Sequence, residues 1–315
     1  MRIFYNKYND ILSTQEFPKT LEIVDHLNGF DSKFDNQILN HVNAVAKPNT
    51  TLISYYVFNE EVKQRYNNLN FKLSQNQTNE LYQLLINYNI HPDINYKNFL
   101  CSFNGSSHVG RKLLVSILKK FGYFNPEYCS KNFSYPTDML FGHVHDFVGD
   151  QDRFYNKFFV ENNSEEFFNT IYSFGHNRYE HNKNIYTLES KLTSSFIHLV
   201  SETMATSYHP FVSEKFLYSV VTRGLFLAYA QPGWHAHVEE HYGFRRYTKL
   251  FDYRFDTIEN PVSRLVELIT MISKFSHLSP AEWQDLYQIE QETIEFNYNH
   301  YFSGGYLQYL KRYEN

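Results

Sequence analysis

The sequence predicts an α/β fold built on parallel sheets, and three observations carry that expectation. From Ser195 onward, strand-like and helix-like runs alternate at the spacing of a sheet covered on both faces. Upstream, the buried run Phe99–Phe103 passes through Asn104-Gly105-Ser106-Ser107 directly into an amphipathic helix, a strand, turn and helix unit. The chain of 315 residues is also long enough for two α/β domains, each with its own core.

Taken in order, Arg2–Tyr5 reads as a strand, Thr20–Asn28 as an amphipathic helix, Thr51–Phe58 as a strand and Gln77–Asn87 as a helix. The polar stretch from His91-Pro92 to Asn98 marks a boundary and sets an N-terminal domain over 1–95. In the helix His108–Phe121, Val109, Leu113, Leu114, Ile117 and Leu118 share one face. Helices are placed near 150–158 and 164–172. Then come Ser195–Ser201 as a strand, Ser213–Thr222 as a helix, Leu225–Tyr229 as a strand and Trp234–Tyr242 as a helix. Phe244–Leu250 reads as a strand and Pro261–Phe275 as a helix, which completes a second domain over 96–278. A last helix opens at Ser279-Pro280 with an acidic first turn and runs to about Tyr298. The segment 279–315 is thus helical and free to pack back on the first domain.

Composition narrows the function classes. The formal charge is −5 and no basic block is present, so a broad electrostatic grip on nucleic acid is not supported. The chain has 27 Tyr and 29 Phe beside 12 Gly, a bias that matches an AT-rich coding sequence and is not read as a set of stacking platforms. Two cysteines, Cys101 and Cys129, in so long a chain point to a reducing compartment and unpaired packing roles. No stretch approaches the roughly 18 to 20 apolar residues of a membrane span. The N-terminus lacks the apolar core of a signal peptide. A soluble, cytoplasmic protein is expected, and the sequons at Asn49 and Asn104 carry no glycosylation inference.

Ligands of parallel sheets bind beyond the carboxyl ends of the strands. Three segments converge there: Asn104 to Arg111, Ser201-Glu202-Thr203, and Ser213-Glu214-Lys215. They offer a helix N-terminus, an arginine, a lysine and two carboxylates. That set suits a nucleotide-activated substrate, with Arg111 and Lys215 neutralising a diphosphate and the carboxylates accepting from hydroxyls. The alternative is structural: Glu214 capping its own helix while Lys215 extends its stem over apolar surface. Neither GxxxxGK[ST] nor GxGxxG occurs, so neither a P-loop nucleotide triphosphatase nor a dinucleotide oxidoreductase of the usual kind is supported.

The run from residue 197 to about 268 carries a resemblance. Its "VSET", "PFVSEK", "RGLFLAYAQPGWHAHVEEHYGF" and "DYRFDTIENPVSR" segments resemble, in order and spacing, the donor-binding half of fucosyltransferase-like GT-B glycosyltransferases, particularly short viral and bacterial members. "FLCSFNGSSHVGRKLLVSILKKFGYFN" resembles the strand and helix that open that half. The resemblance implies a GT-B architecture, two Rossmann-like domains with parallel sheets facing a central cleft, the first of them on the acceptor side. It also implies a hexosyl- or pentosyltransferase that moves a sugar from a GDP- or UDP-sugar to a hydroxyl, inverting, with no cofactor and no essential metal. By position, Arg111 and Lys215 fall at the diphosphate, Glu214 at ribose or sugar, and Glu202 on the carboxylate of the preceding strand end. Asn104, Gly105, Thr203 and Ser213 complete the donor-binding set. The sequence departs from the family where the usual proline becomes Leu225 in Arg223-Gly224-Leu225-Phe226, and where Arg254 stands in place of an acidic residue before Asp256.

An inverting transferase needs a general base, and Glu60, after the Thr51–Phe58 strand, is the candidate, against its reading as an ordinary helix-start carboxylate. The histidines of Gly142-His143-Val144-His145 and of Trp234 to His241 superficially suggest metal ligation, but His235 and His237 would stand about 200° apart on a helix. No metal site is therefore expected. The acceptor is a glycan or protein, or, as an alternative, a hydroxymethylated base of viral DNA, in which case the host cytoplasm is the expected location. A different class of reading is a non-catalytic protein that keeps the fold and binds the nucleotide-sugar without turnover.

Overall fold

A computed structural model describes residues 2–4, 12–24, 32–54, 57–58, 60–74, 85–88, 94–105, 109–133, 164–175, 181–202, 205, 210 and 212–313. Two four-stranded sheets, each parallel throughout, organise the chain. The first consists of β1 (Arg2–Phe4), β2 (Thr20–Val24), β3 (Thr50–Ser54) and β4 (Leu69–Leu73), in that spatial order. Helices α1 (Ser32–Val45) and α2 (Glu60–Arg65) connect the later strands.

The second sheet holds β5 (Asn98–Asn104), β6 (Cys129–Lys131), β7 (Ser195–Ser201) and β8 (Leu225–Tyr229), in the spatial order β6-β5-β7-β8. The chain leaves β5 on one side to form β6 and returns on the other side to form β7. The gap between β5 and β7 is therefore a topological switch point, where open parallel sheets bind ligands. Its crossovers include α3 (Val109–Lys120), α4 (Glu165–Asn169), α5 (His181–Thr193) and α6 (Lys215–Val221). Beyond β8 lie α7 (Trp234–Tyr242), a 3-10 turn (Tyr253–Thr257), α8 (Pro261–Ser273), α9 (Pro280–Ile289), α10 (Gln291–Phe302) and α11 (Gly305–Lys311). Every residue of β7 and of the edge strand β8 is buried, as expected for strands covered on both faces.

Local chemistry places the helix ends. Gly233 and Gly243 bracket α7 with φ of 74° and 79°, left-handed values that only glycine adopts at no steric cost. Asn260 caps α8 by accepting from the Ser263 amide, with Pro261 at the first helical position. Ser279 and Glu282 form a reciprocal capping box at the start of α9.

Several sequence expectations are corrected. Thr20–Val24 is a strand, not the start of a helix, because its β-branched residues extend between two parallel partners, β1 and β3. Phe244–Leu250 forms no strand. The amide and carbonyl of Arg245 are both satisfied by the Asn297 side chain, at 2.7 and 2.9 Å, and the Lys249 and Leu250 amides by the buried Glu290 carboxylate, so no ladder is needed. The last long helix divides at that same Glu290, whose φ of −101° breaks the α-helical run. Other elements keep their type: the strand expected over Thr51–Phe58 is found over Thr50–Ser54, with 55–56 outside the described residues, and the helix expected from Ser213 starts at Lys215. The helix near 150–158, most of Gln77–Asn87 and the whole of Gly142–His145 lie outside the described residues.

The C-terminal helices reach the first sheet. The Leu73 amide of β4 donates to the Tyr313 carbonyl at 2.7 Å, and the Leu85 amide to the Tyr301 hydroxyl at 3.1 Å. Among the described residues, no helix is long and apolar enough to cross a membrane.

Candidate functional site

The carboxyl end of β7 delivers Ser201 and Glu202 into the protein interior. Glu202 is fully buried, its amide donates to the Tyr229 carbonyl of β8 at 3.1 Å, and its Oε1 accepts from the Ser213 amide at 3.1 Å. Ser213 is thereby fixed against the strand end, and α6 starts two residues later. The Lys215 ammonium donates to Ser213 Oγ at 3.0 Å and to Glu214 Oε1 at 3.2 Å. Lys215 and Glu214 keep about a fifth of their side-chain surface open to solvent, at 21% and 18%. The cluster thus grades from a buried carboxylate to a partly open ammonium within a few ångströms.

Burial raises the carboxyl pKa of Glu202, and the nearby Lys215 charge and the Ser213 hydrogen bond oppose that rise without overcoming it. Among the described residues, Glu202 Oε2 has no hydrogen-bond partner. A buried carboxylate that ionises unfavourably and keeps one oxygen unsatisfied is an unusual thing for a fold to maintain, and it is characteristic of binding sites. Glu214 occupies the N-cap position of α6 but makes no side-chain capping bond. Its carboxylate holds Lys215 instead, so the capping alternative raised by the sequence is not the arrangement found.

The end of β5 and the first turn of α3 carry the other residues singled out in the sequence. Asn104 is fully buried: its amide donates to Ser130 Oγ at 2.9 Å and its Nδ2 to the Ser130 carbonyl at 3.2 Å. Gly105 follows, half-buried. In the first turn of α3, a Cβ on Gly110 would come within 2.7 Å of the Ala205 Cβ and 3.6 Å of a Tyr229 ring carbon, so the helix end sits against the chain that follows Glu202. Arg111, next in that turn, is buried to 3% exposure. Thr203 lies outside the described residues.

Glu60 stands elsewhere. It opens α2 with its side chain 76% exposed and pairs with Lys63 at 2.6 Å, the arrangement of an ordinary helix-start carboxylate.

The sequence reading missed two buried groups that shape the edge of the site. Arg264 of α8 is 1% exposed and donates to the Ala205 carbonyl at 2.6 Å and the Ala230 carbonyl at 3.0 Å, with further bonds to Ile258 and Glu259. It ties the segments that leave β7 and β8 to the N-terminal end of α8. His235, weighed as a metal ligand, donates from Nδ1 to Asp256 at 2.7 Å and accepts the Ala228 amide on Nε2 at 2.9 Å. Both ring nitrogens therefore hold the 3-10 turn to β8. Among the described residues, no group of three or more His, Cys, Asp and Glu side chains is placed to hold a metal. The spacing of "DTIENPVSR" was a visible signal for Arg264, whereas nothing local marks His235 as the partner of Asp256.

No protein-family model, curated protein or solved structure matches this chain.

Proposed function

We propose that the protein is a glycosyltransferase of GT-B type that binds a GDP- or UDP-sugar at the carboxyl edge of its second sheet. The observation that supports this best is the buried Glu202 carboxylate beside the partly open Lys215 ammonium, next to the switch point of a parallel sheet. A single ligand that carries both an anion and hydroxyl donors satisfies that pair, and a nucleotide-sugar carries both.

In this reading the diphosphate lies against Lys215 and the first turn of α3, with Arg111 adding positive charge from that turn. Glu202 and Glu214 accept hydrogen bonds from ring hydroxyls. The acceptor hydroxyl attacks the anomeric carbon, the bond from that carbon to the phosphate oxygen breaks, and the nucleoside diphosphate leaves with the electron pair. The attacking hydroxyl passes its proton to a base from the acceptor side. Lys215 lowers the barrier by stabilising negative charge as it grows on the leaving diphosphate. Glu60, exposed and paired with Lys63, is a weak choice for the base, and Glu60→Gln is expected to keep most of the turnover.

Calorimetric titration of the whole chain with GDP- and UDP-sugars tests the reading, with Lys215→Ala as control. Saturable binding to at least one of them, lost in the variant, is the expected result. A folded protein that binds neither nucleotide nor nucleotide-sugar sinks the proposal. Binding without transfer to any glycan, protein or modified duplex would reassign it as a non-catalytic binder.

A further inference from the structure

Tyr313, just after α11, joins the first sheet to the helices of the second. Ser74 donates back to the Ser54 carbonyl of β3 at 2.8 Å, so the preceding Leu73 turns its amide to the outer edge of β4. There the Tyr313 carbonyl accepts it at 2.7 Å. The Tyr313 hydroxyl meets Nδ1 of His241, in the last turn of α7, at 2.5 Å. The Lys63 ammonium of α2 stands 5.5 Å from the centre of the Tyr313 ring. Arg312, one residue back, donates from Nη2 to the Glu240 carbonyl of α7 at 3.4 Å. One residue thus touches β4 and α2 on one side and α7 on the other.

His241 is the member of this joint that titrates near neutral pH. Its side chain is 11% exposed. On α7 itself, the His237 ring lies one turn back with its centre 4.4 Å away, and the Glu240 carboxylate is 3.9 Å from Nε2. From α2, Glu60 and Lys63 act on it, and from the end of the chain Arg312. Charged and titratable groups of two other neighbouring elements are engaged with α7 elsewhere: Asp256 of the 3-10 turn by His235, and His300 of α10 by the Tyr242 carbonyl at 2.8 Å. The two carboxylates are poor compensation for a new cation. Glu240 is 75% exposed, and Glu60, 76% exposed, is already paired with Lys63.

A neutral imidazole with Nδ1 bare accepts the Tyr313 O–H. A ring protonated on both nitrogens has no acceptor for that O–H, and it adds a positive charge beside Lys63 and Arg312 in a largely buried position. Burial first, and then the two cations, hold the His241 pKa below 6.5 against the pull of the carboxylates. The joined state therefore takes up the proton less readily than a state in which His241 faces water. The joint is whole above pH 6.5 and weakens as the pH falls through the lowered value.

We infer that Tyr313 is an acid-released clasp: with His241 neutral it holds the end of the chain against β4 and α7, and with His241 charged it lets go. Clasp and nucleotide-sugar reading stand independently, because no ligand takes part in the release.

Amide hydrogen exchange of the whole chain at about pH 7.5 and about pH 5.5, read by mass spectrometry and corrected for the intrinsic pH dependence of exchange, is the test. Peptides over 69–74 and 306–313 should lose protection roughly three- to tenfold at the lower pH, the worth of one net hydrogen bond. Peptides over β7 and β8 should keep theirs. His241→Asn, whose amide stands in for Nδ1 and takes no charge, should hold its protection across the range. Tyr313→Phe keeps the ring and the backbone bond without the hydroxyl, and should start from the lowered protection and change little with pH. Equal protection of the two wild-type segments at both pH values overturns the clasp. Loss that spreads to β7 and β8 overturns it too, since that is unfolding and not release. A His241→Asn protein that keeps the wild-type pH dependence removes His241 as the trigger and overturns the inference. Should that variant not fold, a Tyr313→Phe protein as protected as the wild type at the higher pH overturns it instead.

Discussion

Replacing Glu202 by glutamine is expected to make the protein more stable and the site unusable. The carboxylate is fully buried, one oxygen holds the Ser213 amide and the other has no hydrogen-bond partner among the described residues. Its pKa in the fold is raised from an ordinary value of 4.5, with burial outweighing both Lys215 and Ser213. The folded state therefore binds the proton more tightly than the unfolded state does, and stability falls as pH rises from the unfolded pKa through the folded one. At neutral pH the charge is a net cost. Glutamine keeps an oxygen for Ser213 and removes the charge, so a net gain of about 1–2 kcal/mol is expected, the relief of a buried charge less the cost of burying the amide N–H2 at the same unpartnered position. Urea unfolding of both proteins at several pH values is the assay. The variant should be more stable at pH 7, and its advantage should shrink as the pH falls toward 4.5 and the wild-type carboxyl takes up its proton. A variant less stable than wild type at pH 7, or an advantage that does not change with pH, would refute the reasoning. Loss of nucleotide-sugar binding in a stabilised variant would identify Glu202 as a group kept for its ligand at the expense of stability.

Three further outcomes are expected. Gly224→Ala would set a Cβ 2.0 Å from a ring carbon of His198, which is buried and donates to the Leu192 carbonyl at 2.7 Å; expelling the ring should cost roughly 2–4 kcal/mol in denaturant unfolding. Burial lowers the His198 pKa from 6.5 to about 4, so the folded state keeps it neutral while the unfolded state takes up the proton. That contribution, about 3 kcal/mol in all, is present above pH 6.5 and is lost progressively as pH falls toward 4; burial also lowers the pKa of His241 and His300, and His198→Gln should flatten the pH profile of unfolding. Lys215→Ala removes a partly exposed pair with Glu214, a bond to the Ser213 hydroxyl and the charge that favours ionised Glu202, so stability at pH 7 should fall by about 1–2 kcal/mol while nucleotide-sugar binding is lost, measured by thermal melting and calorimetry on one sample.

Local pattern determined a good part of this protein. The alternation from Ser195 to Tyr242, the β5 and α3 unit, the capped starts at Asn260 and Ser279, and the glycine bounds of α7 all follow from short-range periodicity and backbone preference, so a single sequence displays them. The grouping of Glu202 with Ser213 and Lys215 was legible for the same reason, since a strand end and the next helix start are close in sequence as well as in space. Tertiary structure decided the rest. Residues 20–24 became a strand because two neighbours offered them a parallel ladder. Residues 244–250 stayed out of the sheet because Asn297 and Glu290, about 40 to 50 positions away, satisfy their backbone. His235 found Asp256 through a contact no local spacing encodes, and Arg264, marked by its spacing after Asp256, met its partners, the carbonyls of Ala205 and Ala230, only in the fold. Above all, strand pairing, a long-range property, brought the end of β7 against β8 and set Glu202 in the interior, with one carboxylate oxygen lacking a partner among the described residues. Periodicity names the residues that go inside; the pairing of distant segments decides which of them still need a partner.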